Sequence, residues 1–161
     1  MELISAVFWL SLTIYHEARN QEQLDQLAVA HVVLNRVQQS NSTVKEVVLK
    51  DRQFSCFNNG ILIPRNFGEM VGPIQVAVMA KVGKDFTQGS TYYHEKKSKP
   101  IWRHRLSRVG EFGSHIFYKE PVHLKPERRK LYVGGGKRGV SSSVTRNSNR
   151  YRISGAYVLS S

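Results

Sequence analysis

The sequence predicts a mainly α-helical domain of the α+β class with a few short strands. Its 161 residues, 40% of them hydrophobic and 22% charged, suffice for one folded domain and are too apolar for a wholly disordered chain. Apolar residues recur at helical spacing in the first half, as on helices packed against a core. From Gly83 onward that pattern gives way to glycine, aromatic and basic residues, which leaves room only for short strands.

The first segment, residues 1–14, predicts a helix that is apolar almost all round and therefore buried. It has Glu2 where a secretory signal peptide carries basic residues, and no small-residue cleavage site follows. About a dozen apolar-rich residues are also too few to cross a bilayer. We therefore expect no signal peptide and no membrane span, so that delivery to a target outside the cytoplasm would need another factor.

A second helix is predicted over residues 22–39, where apolar side chains recur at three- and four-residue steps. The polar residues that follow break this pattern. Ser42 or Thr43 is then a suitable N-cap for a short helix that ends by Lys50.

The later elements are shorter. Loops are predicted at 58–61 and 64–68, where Asn, Gly and Pro cluster. A third long apolar run predicts a helix over 73–82, with its proline at the first position. Two aromatic segments, 90–94 and 115–119, predict strands.

Charge is distributed unevenly along the chain. Lys and Arg number 24 against 12 Asp and Glu, a net charge of +12, yet residues 1–80 carry −1 and residues 81–161 carry +13. Such an excess of positive charge indicates an anionic partner. Composition alone does not distinguish nucleic acid, a membrane surface and an acidic wall polymer as that partner.

We predict a folded domain over 1–120 and a basic, Gly/Ser-rich extension over 121–161.

Glu17 is the main candidate for chemistry. It follows an apolar helix and precedes a polar break, a position where partial burial would raise its pKa and suit it to general acid catalysis. The alternative is an ordinary ion pair with Arg19 or Arg36. The acids that follow closely in the sequence are Glu22 and Asp25, and we expect both to face solvent.

A second cluster is rich in aromatic rings and histidines, which could stack on sugars or bases or simply pack in a core. His94 and His115 lack the local spacing of a zinc motif, and Cys56 is the one cysteine, which excludes an internal disulfide or a Cys-clustered zinc site. Cys56 could pair with a histidine as in a peptidase, or be a small buried hydrophobic residue. We expect no metal and no cofactor.

Five segments occur in an order that resembles the SleB-type cell wall hydrolases, a family that includes spore cortex-lytic enzymes. They are Tyr15-His-Glu-Ala-Arg-Asn20, Ala28-Val-Ala-His-Val-Val-Leu-Asn-Arg-Val37, Gln53-Phe-Ser-Cys-Phe-Asn58, Asp85-Phe-Thr-Gln-Gly-Ser-Thr-Tyr-Tyr-His94 and Gly113-Ser-His-Ile-Phe-Tyr118. The chain keeps the family's glutamate as Glu17. It departs from the family pattern at five positions, namely His16 for Gly, Asn20 for Gly, Phe57 for Trp, Phe86 for Pro and Ser114 for Asn.

The resemblance implies a lysozyme-like, lytic transglycosylase-like fold and cleavage of the bond between N-acetylmuramic acid and N-acetylglucosamine. Glu17 would act as the single general acid and base and yield 1,6-anhydro ends, a reaction that needs no second carboxylate. The implied substrate-binding residues are Ser55, Asn58, Tyr92, His94, His115 and Tyr118. For Asn35 and Arg36, on a helix of core residues, we expect a structural role.

The implied partners are peptidoglycan glycan strands, with anionic cell-envelope polymers bound by the basic half. We expect a monomeric phage endolysin, made in the cytoplasm and reaching the wall through a holin-like factor or from a virion. Two other classes stay open: a basic nucleic-acid-binding protein, and a virion structural protein with an inactive lytic fold.

Overall fold

A computed structural model describes residues 2–51 and 53–122. The predicted extension therefore lies, apart from its first two residues, outside the described residues. The helices are α1 (Glu2–Ala18), α2 (Gln23–Ser40), α3 (Val44–Val48) and α4 (Gly68–Val82), with 3-10 turns at Ser55–Phe57 and Ile101–Arg105. The strands are β1 (Tyr92–Glu95), β2 (Ser107–Phe112) and β3 (His115–Lys119).

Helix α1 is central because it packs against α2, α3 and α4. Its second half is buried from Trp9 to Tyr15, as its apolar sequence predicts. Its first turn differs from the prediction, because Leu3 and Ile4 are 63% and 77% exposed. No helix in the described ranges combines the length and hydrophobicity needed to cross a membrane.

The start of α3 agrees with its local sequence signal, whereas the start of α4 does not. Thr43 caps α3 as predicted: its hydroxyl accepts from the Glu46 amide at 3.2 Å, and the Glu46 carboxylate accepts from the Thr43 amide at 2.8 Å. Helix α4 begins at Gly68, five residues before the predicted start at Pro73. Pro73 lacks the N–H that would bond the Glu69 carbonyl, and the helix continues through this one missing bond.

The three strands form an antiparallel sheet in the order β1-β3-β2. Strand β3 has its predicted bounds, and β1 starts two residues later than predicted. Strand β2 was not predicted, because its sequence Ser-Arg-Val-Gly-Glu-Phe lacks a clear alternation and carries an irregularity between Arg108 and Gly110. Tyr93 and Phe117 stack at 5.7 Å between ring centroids and turn one face of the sheet toward the core.

The tight turn between β2 and β3 requires a glycine at position 113. Its φ is +56°, and a Cβ added there would lie 2.5 Å from the Oδ2 of Asp25.

We expect Gly113→Ala to lower the free energy of unfolding by about 1–3 kcal/mol in urea denaturation. Gly110→Ala is the control, because a Cβ at this strand glycine would lie 3.6 Å from the Phe112 ring, an ordinary van der Waals contact. It should change stability by less than about 1 kcal/mol in either direction, and equal losses in both variants would contradict the close approach at Gly113.

Candidate active site

Glu17 lies in the last turn of α1, half-buried and in contact with two neutral donors. The hydroxyl of Tyr93 donates to its Oε2 at 3.3 Å, and the thiol of Cys56 forms a second hydrogen bond. Neither arginine considered as a partner pairs with it. The Arg19 guanidinium lies 4.7 Å from the centre of the Tyr15 ring, and Arg36 forms hydrogen bonds elsewhere.

Burial raises the pKa of the Glu17 carboxyl and is the largest influence on it. The hydrogen bonds from Cys56 and Tyr93 and the positive fields of His115 and His16 lower this pKa, without reversing the shift. The carboxyl therefore keeps its proton to a higher pH than an exposed glutamate. The shift is in the direction that a general acid requires.

The two donors stay protonated. Burial and the nearby Glu17 carboxylate raise the pKa of the Cys56 thiol, and the same two causes hold the pKa of Tyr93 well above its usual range. A thiol that resists ionisation is a poor nucleophile, which disfavours the peptidase alternative. Both groups can instead donate hydrogen bonds to Glu17.

Arg36 fixes the elements that carry these donors. It is buried on α2, where its Nε donates to the Thr91 carbonyl at 2.7 Å and its Nη1 to the Gln53 Oε1 at 2.9 Å. Its guanidinium also lies 5.2 Å from the centre of the Phe54 ring. Arg36 thus ties α2 both to the start of β1 and to the 3-10 turn with Cys56, as expected for a structural role.

Asp25 is fully buried, so the prediction that it faces solvent is wrong. Its carboxylate accepts from the Ser114 amide at 2.9 Å and from the His115 Nδ1 at 2.8 Å. The imidazole of His115 in turn packs edge-on against Tyr93, with 5.2 Å between ring centroids. Because the Asp25 carboxylate accepts hydrogen bonds from residues at the start of β3, it is not a second carboxylate facing Glu17. Glu22 is exposed, as predicted.

The structure separates the predicted substrate-binding residues into groups. His115 lies on the same face of the sheet as Tyr93, and Ser55 and Asn58 flank Cys56 in sequence. Tyr92, His94 and Tyr118 alternate with Tyr93 and Phe117 along the strands and therefore lie on the opposite face.

On that opposite face the rings contact one another. His94 Nε2 and the Tyr118 hydroxyl are 3.0 Å apart, and Trp102 packs on both rings. The Tyr92 hydroxyl donates to Glu120 at 3.3 Å. Since His94 and His115 lie on different faces, they do not form a common ligand pair. The described residues contain no group of three metal-ligating side chains.

Sequence reasoning missed three residues of the site: Cys56 and Tyr93 as donors to Glu17, and Asp25 as the partner of His115. A signal existed for Tyr93, because strand alternation places it on the face opposite its neighbours Tyr92 and His94. The partners of Glu17 at Cys56 and Tyr93 are 39 and 76 residues away, and no local pattern encodes such contacts.

The raised pKa of Glu17 predicts how stability depends on pH. Because the folded-state pKa lies above the unfolded one, ionising Glu17 opposes folding, and its contribution to stability declines as pH rises through the folded pKa. We expect Glu17→Gln to match the wild type below about pH 4 and to be more stable near pH 7. Urea unfolding at both pH values tests this, with the exposed Glu22→Gln as control for losing a carboxylate. A gap of the same size at both values would contradict it.

Comparison with known proteins places these features in a family. The family model described as Cell Wall Hydrolase matches residues 20–118, a range that begins three residues after Glu17. The spore cortex-lytic enzyme of Bacillus cereus is 32% identical over 113 residues, which cover 66% of this chain and 41% of the relative. The chain therefore spans less than half the length of the curated relatives it matches.

Two solved structures are similar, each with a TM-score of 0.62. The catalytic domain of the Bacillus cereus SleB protein is 26% identical, and the match covers 72% of this chain and 91% of that domain. The catalytic domain of the germination-specific lytic transglycosylase SleB from Bacillus anthracis is 27% identical, with coverages of 71% and 93%. The likeness confirms the predicted lysozyme-like, mainly α-helical fold. The chain belongs to the cell wall hydrolase family.

Proposed function

We propose that this chain degrades peptidoglycan as a lytic transglycosylase, with Glu17 as its general acid and base. The observation that carries the proposal is the half-buried Glu17 carboxyl, whose pKa is raised by burial and whose donors, Tyr93 and Cys56, are both neutral. The name of the similar Bacillus anthracis domain, a lytic transglycosylase, supports the reaction class.

In the proposed reaction, the protonated Glu17 donates its proton to the glycosidic oxygen between N-acetylmuramic acid and N-acetylglucosamine. The bond from this oxygen to C1 of the muramic residue breaks. The 6-hydroxyl oxygen of the same residue then bonds to C1, and its proton passes to the Glu17 carboxylate. The products are a 1,6-anhydro end and a free hydroxyl on the leaving sugar, no water is consumed, and Glu17 is again protonated.

One carboxyl suffices for this sequence of steps, whereas most glycosidases use two. Asp25 is buried against Ser114 and His115 and is not available as a base for water. Tyr93 and Cys56 are placed to donate to the Glu17 carboxylate while it lacks its proton. Neutral donors stabilise that anion less than a salt bridge would, so the carboxylate remains basic enough to take the proton back.

The basic half of the chain is proposed to hold the enzyme on anionic wall polymers. Five described Lys and Arg residues there are well exposed and form no ion pair in the described part of the chain: Lys81, Lys84, Lys97, Lys99 and Arg105. A phage origin, an endolysin role and delivery by a holin-like factor or a virion remain part of the proposal.

Glu17→Gln should abolish glycan cleavage, because the amide N–H is not acidic enough to transfer a proton to the glycosidic oxygen. The measurement is mass spectrometry of muropeptides released from purified sacculi, with Glu22→Gln as a matched control that should keep wild-type activity. Wild type and control should release anhydro-muramyl ends, and the rate of Glu17→Gln should fall by at least about a thousandfold. Circular dichroism should show the same fold for all three.

Other outcomes would redirect or overturn the proposal. Hydrated reducing ends from the wild type would mean that water attacks C1 and that the chain is a hydrolase. Full activity of a folded Glu17→Gln would remove the acid role from this residue. If neither the wild type nor Glu17→Gln released muropeptides, the resemblance to the family would extend to the fold only.

The wall-binding proposal predicts that lysis slows as salt rises, because attraction between exposed charges is screened at high ionic strength. The rate on sacculi should fall severalfold between about 0.05 and 0.5 M NaCl. A variant with Lys84, Lys97 and Lys99 changed to glutamine should show a weaker dependence. Equal rates at both salt concentrations would exclude charge attraction as the means of wall binding.

A further inference from the structure

The last turn of α1 holds one segment, residues 56–69, at three points. Three consecutive side chains make these contacts. In order along the helix, Tyr15 donates to Glu69, His16 Nε2 donates to the Leu62 carbonyl at 2.8 Å, and Glu17 bonds to Cys56. The segment therefore begins at the candidate acid and returns to the same helix at its far end.

Residues 58–67, the middle of this segment, are connected to α1 by the hydrogen bond from His16. Other hydrogen bonds of residues 58–67 are local, such as Gly60 N–H to the Phe57 carbonyl at 3.4 Å and Gly68 N–H to Asn66 Oδ1 at 2.9 Å. Within the ranges 2–51 and 53–122, the bond from His16 is the one that ties residues 58–67 to a distant element.

The His16 ring is itself held by aromatic neighbours. Its centroid lies 5.1 Å from that of Tyr15 and 6.0 Å from that of Phe57, both edge-on. These contacts fix the direction in which Nε2 points, with its N–H toward the Leu62 carbonyl. His16 thus connects α1 to residues 58–67, and we refer to this connection as the brace.

The braced loop presents apolar side chains to solvent. Exposed fractions are 48% for Ile61, 68% for Leu62, 63% for Ile63 and 74% for Phe67. Four large apolar side chains within seven residues are costly to leave in water and are typical of a binding surface. The loop starts two residues after Cys56, which bonds to Glu17, and its Leu62 is bonded to His16, the residue that precedes Glu17.

We propose that His16 is a positioning residue that holds residues 58–67 in place as an apolar wall of the glycan-binding groove beside Glu17. The inference rests on the proposed function, since the occupant of the wall is the glycan strand that Glu17 cleaves. The apolar faces of the pyranose rings and the methyls of the acetamido groups supply the matching surface. Asn58, at the start of the loop, then lies within the same wall.

The test compares His16→Ala and His16→Gln with the wild type on soluble glycan strands, counting anhydro ends. Without the brace the loop loses its fixed position, so His16→Ala should raise KM about tenfold and change kcat less than about twofold. Glutamine restores an N–H donor, so His16→Gln should stay near wild type. His104→Ala, at an exposed histidine on the second 3-10 turn, is the matched control and should have no effect.

Trypsin provides a readout that does not depend on activity. Arg65 is exposed within the loop, and Arg105 is exposed outside it. Cleavage after Arg65 should accelerate at least about threefold in His16→Ala, with cleavage after Arg105 unchanged. His16→Gln should again resemble the wild type.

The wall itself is tested by making it polar. Ile61→Ser combined with Ile63→Ser should raise KM as His16→Ala does, because the glycan loses its apolar contacts. Val82→Ser is the matched control: Val82 is 82% exposed and lies at the far end of α4. It should leave KM unchanged.

Two results would overturn the inference. An unchanged KM and unchanged cleavage after Arg65 in His16→Ala would show that the brace does not position the loop. A lower kcat with a shifted alkaline limb of its pH profile would show that His16 acts on the charge of Glu17 instead. Failure of the proposed function is distinct, because a wild type that releases no anhydro ends would fail before any variant is compared.

Discussion

The structure depends on one constraint: the Glu17 carboxyl is partly buried and yet has no cationic hydrogen-bond partner among the described residues. An ion pair with Arg36 would neutralise the charge of Glu17, but it would also lower the pKa of Glu17 and so disfavour the acid role proposed for it. The chain instead binds Arg36 to the Thr91 carbonyl and to Gln53. Glu17 forms hydrogen bonds with a phenol and a thiol, which can support either protonation state.

This constraint explains why the small sheet is needed beside the helices. Tyr93 reaches Glu17 only because β1 is held against α2, and the Asp25–His115 pair ties β3 to the same helix. Burying Asp25 is costly unless its oxygens are bonded, and here it accepts from both Ser114 and His115. The Asp25–His115 pair thus helps to hold Tyr93 in position, because the His115 ring packs edge-on against the Tyr93 ring.

Local sequence signals predicted what depends on near neighbours. The cap at Thr43, the period of α2, the strand at 115–119 and the position of Glu17 at the end of an apolar helix were all readable. Contacts between distant segments were not readable. Asp25 looked like a solvated helix residue because its partners are 89 and 90 residues further along. Strand β2 was missed because its pairing with β3, more than its own sequence, makes it a strand.

The departures from the family pattern become clearer once their contacts are known. His16 and Phe57 replace a glycine and a tryptophan, and their rings are in contact at 6.0 Å. Ser114 replaces an asparagine and binds the buried Asp25 through its amide and its hydroxyl. Phe86 replaces a proline and packs against Phe112 at 5.0 Å. These four differences therefore lie in side-chain packing and hydrogen bonding, while Glu17 itself is kept. The proposed reaction needs one carboxyl and therefore tolerates such changes, because the neighbouring groups can differ as long as they keep that carboxyl partly buried and without a cationic partner.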